Sequence, residues 1–142
     1  MAKGNWGRML LCGLVVGLVW ILLSGVVLLV LGRALLQEMP NFQSFPPPGG
    51  VVAACAVLPF LVGLGAMWLY VAIRPRFGPG PGTALVAGLS GWLFWAVDIA
   101  HWVTYGFLPA RLVLVPCLAA LPALLLAVLA GAKLYKETGT AI

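Results

Sequence analysis

Four long apolar stretches separated by short polar breaks make up nearly all of this chain, and its charges stand almost wholly at their edges. Eight Lys and Arg, three Asp and Glu and one His give twelve acidic or basic side chains in 142 residues. Ten of the twelve flank the stretches. The other two, Asp98 and His101, lie inside one of them, a helical turn apart. A helix crosses a hydrocarbon core of about 30 Å with about 20 apolar residues, and the stretches have that length. Apolar residues are 63% of the chain and charged residues 8%, against about 25% charged in a soluble domain. With a mean hydropathy of +1.13, a water-soluble fold is excluded.

Backbone polar groups in lipid need internal partners, so the spans are expected to be helices, and the alternating ten-residue segments of a membrane barrel are missing. The expected architecture is an all-α integral membrane domain of four transmembrane helices paired as two hairpins. The spans are placed at about residues 8–33, 51–73, 83–107 and 109–135, with Pro109 in the first turn of the last. Residues 37–50 form a polar, proline-rich break, and residues 74–82 (RPRFGPGPG) a basic turn. In the first loop Phe42 and Phe45 precede Pro46, Pro47 and Pro48, a stretch expected to be extended polyproline II. It is a candidate site for docking on a partner or lying in the headgroup layer.

Lys3, Arg8, Arg74, Arg76, Lys133 and Lys136 fall on one side of these spans, and Arg33 and Arg111 on the other. The positive-inside rule then puts both termini and the 74–82 turn in the cytoplasm of a bacterial inner membrane. Trp6, Trp68, Tyr70 and Tyr135 would form the inner aromatic belt, and Trp102 and Tyr105 the outer one. The net charge of +5 is spread over helix ends, which suits lipid headgroups and not nucleic acid. The opening Lys3 and Arg8 before an apolar run resemble a secretion signal, but the run is too long and lacks a small-residue cleavage site, so it is expected to remain. Cys12, Cys55 and Cys117 sit in apolar runs without metal-ligand spacing and read as small buried hydrophobes, with a Cys55–Cys117 bridge as the alternative.

Helices in lipid associate through close contact between small residues. Ala119, Ala123, Ala127 and Gly131 form a stripe at four-residue spacing, and Gly13 with Gly17, and Ala84 with Gly91, offer further seams. Leu10, Gly13, Leu14, Leu18 and Trp20 recur as Leu85, Gly88, Leu89, Leu93 and Trp95 at an offset of 75, which suggests a parallel internal repeat. Pro59, Pro116 and Pro122 are expected to bend their spans.

The segment Ala72-Ile73-Arg74-Pro75-Arg76-Phe77-Gly78-Pro79-Gly80-Pro81, after Trp68-Leu69-Tyr70 and before Thr83-Ala84 and Gly88-Leu89, resembles a turn in a group of small uncharacterised bacterial four-helix membrane proteins. The closing run from Ala130 to Glu137 is similar to the end of that group. The resemblance implies the fold. It implies no activity, and the proline-rich loop and the Asp98/His101 pair are not among its features.

Asp98 falls in the seven-residue register of Ala84, Gly91 and Tyr105, and His101 in that of Ala87 and Phe94. The pair is therefore expected to share the small-residue seam and to face other helices, as an acid costing about 2.5–3.5 kcal/mol at the bilayer centre needs. Three readings stay open. The pair is a structural clamp, Asp98 meeting His101, Arg33 or Arg111; it is a short relay in an oligomeric transporter or channel; or it serves a cofactor, with His101 as an axial ligand to a haem or chlorophyll or both residues in a metal site that would need further ligands. No nucleophile set, phosphate loop or metal motif appears, so catalytic and metal-binding residues are expected to be absent. The expected role is a non-enzymatic accessory subunit among other integral-membrane subunits, of a respiratory or photosynthetic kind.

Overall fold

The computed structural model describes residues 5–37 and 49–136. The candidate docking loop with Phe42, Phe45, Pro46, Pro47 and Pro48 lies outside the described residues, as do the side chains of Arg33 and Cys55. The described residues form four helices: α1 (Trp6–Gln37), α2 (Gly49–Phe77), α3 (Pro81–Thr104) and α4 (Ala110–Leu134). Each holds a stretch long and apolar enough to cross a membrane, in α1 over Trp6–Gly32 and in α2 over Ala56–Phe77. The chain is an integral membrane protein built as an all-α four-helix bundle.

Local chemistry explains where the helices start and stop. Asn5 caps α1, its Oδ1 accepting the Arg8 amide at 3.0 Å. The second helix runs four residues beyond the expected end at 73, through Arg74-Pro75-Arg76, because Pro75 removes only one ladder amide. It stops at Gly78, which has a positive φ of 81° and bonds back to the Arg74 carbonyl. The third helix ends at Thr104, before the expected 107. Gly106 (φ 74°) donates to Val103 O and Phe107 to Trp102 O, the paired bonds of a Schellman ending.

α1 packs against α2 and α4, and α3 packs against α4 and α2. α1 and α3 stand at opposite corners and, among the described residues, do not meet. The α1–α2 contact is a close backbone approach. A Cβ added at Gly63 would strike the Gly13 carbonyl and lie 2.6 Å from Gly17 N, and one added at Gly17 would lie 2.7 Å from Phe60 Cα. Gly131 of α4 lies where three helices converge, against Val16 and the Cys12 carbonyl of α1 and Met67 of α2. Ala123 and Ala127 of the same stripe are buried, and Ala119 is half-buried. α4 is the most enclosed span, with 39% of its apolar window buried against 18–22% in the others.

One sequence expectation fails here. Tyr70 and Tyr135 are not belt residues: they are 2% and 4% exposed and pack edge to face at 6.1 Å between ring centres. The Tyr135 hydroxyl accepts the Asn5 amide at 3.3 Å, and the Arg74 guanidinium sits 5.3 Å over its ring. Tyr135, whose hydroxyl and ring face both find partners, gains more inside the bundle than at its edge, and Tyr70 is buried as its edge-to-face neighbour. Trp6, Trp68, Trp102 and Tyr105 are exposed. Cys12 and Cys117 are buried and unbridged.

Candidate functional site

α3 changes character along its length. In its first half Thr83, Ala84, Ala87 and Gly88 are buried against α2 and α4, and a Cβ at Gly88 would lie 3.0 Å from Leu125 Cδ2. Near the middle, the Trp92 indole donates to the Cys117 carbonyl of α4 at 2.9 Å. That carbonyl is one residue from the one Pro122 leaves without its helical amide, where the ladder is already loosened. Beyond this point the contact thins. Trp95, Ile99 and Val103 are only partly covered, and Phe94 is 76% exposed.

Asp98 and His101 lie on the exposed side of this second half. The expectation that they face neighbouring helices is therefore overturned, and the reason is geometric. At about 100° per residue Asp98 lies about 40° from Ala84, still on the face that carries Ala84 and Ala87. That face is buried only in the first half of α3, and the covered side shifts around the helix beyond Trp92. The inward positions follow Ala84, Gly88, Trp92, Trp95, Ile99 and Val103 instead.

The expected clamp within the turn is not made either. The His101 Nδ1 donates to the Val97 carbonyl one turn back, at 2.9 Å. Because a carbonyl only accepts, this bond requires the proton on Nδ1 and leaves Nε2, on the far side of the ring, as the nitrogen for an outside partner. Among the described residues nothing hydrogen-bonds or ion-pairs with the Asp98 carboxylate. Arg111, at the start of α4, is exposed. His101 stacks loosely on Tyr105 at 6.0 Å, and Tyr105 and Trp102 each meet Phe107 at about 6 Å. The result is an acid, a base and an aromatic cluster side by side on an uncovered helix face.

Among the described residues no group of three or more His, Cys, Asp or Glu is placed to hold a metal. A second polar locality, which the sequence reading did not single out, lies at the opposite end of the bundle. There Tyr70, Arg74, Lys133 and Tyr135 line a cavity of about 480 Å³ with the 79–81 turn. Its only sequence signal was the clustering of Lys and Arg at that end. No protein-family model, curated protein or solved structure matches the chain.

Proposed function

We propose that the chain is a non-enzymatic accessory or structural subunit of a larger integral-membrane complex, and that another subunit packs on the second half of α3. The observation that carries this reading is the exposed Asp98–His101 turn within a spanning helix. A carboxylate facing acyl chains is disfavoured by about 2.5–3.5 kcal/mol, and ionisable residues within spans characteristically face protein or water. A neighbouring helix that donates to Asp98 and accepts Phe94, Trp102 and Tyr105 as packing surface removes that penalty. Native mass spectrometry of the complex extracted in mild detergent tests it. The wild type should carry a partner that Asp98→Leu loses while its own bundle stays folded. A wild-type chain that travels alone contradicts the proposal.

A second reading has an observation of its own. The Nδ1 bond to Val97 orients His101 as a histidine ligand is commonly oriented, with Nε2 left for an outside partner, which suits axial ligation of a haem or chlorophyll held between this chain and a partner. His101→Leu should then abolish a visible absorption band, and a colourless complex eliminates the reading. A transport path through Asp98 would have to run between copies, because the pair is on the outside of the bundle.

The same proposal places the chain in a bacterial inner membrane with the basic end inside. Arg8, Arg74, Arg76, Lys133 and Lys136 gather at one end and Arg111 stands at the other, which supports that orientation. A cysteine probe replacing Pro79 should label from the cytoplasm and one replacing Ser44 from outside; the reverse pattern inverts the assignment. Kinship with the small four-helix group, and the descent of α1–α2 and α3–α4 from one duplicated hairpin, belong to this reading too.

A further inference from the structure

The cavity at the basic end has the composition of an anion site. Among the described residues of its lining, Arg74 and Lys133 carry charge and none is an acid. Tyr70 is 2% exposed, lines the cavity, and has no hydrogen bond from its hydroxyl to any described residue. The cation–π contact with Tyr135 holds the Arg74 guanidinium at this wall. Gly80 and Pro81 form the rim where α3 begins, and Gly80 caps that helix without a side-chain hydrogen bond, so the positive end of the α3 dipole adds to the same field. Arg8, Arg76 and Lys136 stand at the same end. Leu129 and Ala132 give the cavity an apolar wall on the side of the membrane span.

We propose that this cavity binds a phosphate-bearing anion, and that its source is the phosphodiester headgroup of an anionic membrane lipid. Arg74 and Lys133 take the phosphate oxygens, Tyr70 donates to one of them, and the glycerol and upper acyl chain lie along Leu129 and Ala132. Basic pockets between helices at the cytoplasmic boundary are suited to such headgroups, and an apolar wall beside the charges favours a lipid over a small ion. This inference is independent of the subunit role assigned to α3.

The test measures binding of short-chain phosphatidylglycerol and phosphatidylcholine to the purified full chain in neutral detergent. Phosphatidylglycerol should bind in preference. Lys133→Gln should weaken it about tenfold, the loss expected for a charge-assisted hydrogen bond. Tyr70→Phe keeps the ring packed on Tyr135 and should weaken binding severalfold with an unchanged melting temperature. Arg76→Gln removes an equal charge from an exposed residue outside the cavity and should change binding less than twofold. Equal losses from Lys133→Gln and Arg76→Gln, or no preference between the two lipids, would overturn the site. Displacement of the lipid by equimolar inorganic phosphate would overturn the lipid as the source of the anion.

Discussion

The two ends of the bundle solve the problem of holding helices together in opposite ways. At the basic end, α1, α2 and α4 are tied by side chains that reach across helices: Asn5 and Arg8 of the α1 start to Tyr135 and the Leu134 carbonyl, and Tyr70 against Tyr135. Just below, Gly13, Gly17, Gly63 and Gly131 bring backbones into contact. Among the described residues α3 makes one cross-helix side-chain hydrogen bond, from Trp92 near its middle, and towards the other end it turns an acid, a base and several aromatics outward. Apolar burial separates protein from lipid poorly, so a helix stays docked only where small residues permit close approach or polar groups find partners. α3 has both in its first half and neither in its second, and the second half is where something else is needed.

The sharpest attack on this contrast is at the tight end. Gly63→Leu forces a side chain into the backbone of α1 and should cost about 3 kcal/mol or more, read as lost monodispersity and a lower unfolding midpoint in detergent. Gly65→Leu, two residues on, meets open space and should change stability by less than about 0.5 kcal/mol. Similar effects would mean that close approach between α1 and α2 is not what holds them. Next in size, Ala127→Leu overfills a position that is fully buried and should cost about 1–3 kcal/mol, whereas Ala100→Leu on the exposed half of α3 should leave the isolated chain unchanged. The smallest effect expected is that of Trp92→Phe, about 0.6–1.5 kcal/mol for one interhelical hydrogen bond, and it should loosen α3 from α4 without affecting the α1–α2 pair.

Much of the fold was legible in the sequence because lipid imposes few solutions. The apolar runs, the prolines and glycines between them and the small residues at four-residue spacing point to four helices and to the inward faces of α1 and α4. Gly63 was missed, though it is the residue that Gly13 and Gly17 close upon, since a single glycine in an apolar run has no pattern of its own. The exposure of Asp98 and His101 was missed because the face that is closed at Ala84 and Ala87 loses its cover further along α3, and residue spacing does not mark where a neighbouring helix ends its contact. Tyr70 and Tyr135 were assigned to the membrane boundary by type. Tyr135 meets Asn5, Tyr70 and Arg74, partners far from it in sequence that only the folded bundle brings near.

The central claim is that the second half of α3 is an interface. Photo-crosslinking in native membranes tests it directly, with a photoreactive residue at position 94 and, as control, at position 126. Phe94 and Leu126 are both largely exposed, but only Phe94 adjoins the polar turn. A discrete higher-mass protein adduct from position 94, absent from position 126 and lost in Asp98→Leu, is the predicted result. Lipid adducts alone from both positions would contradict the account.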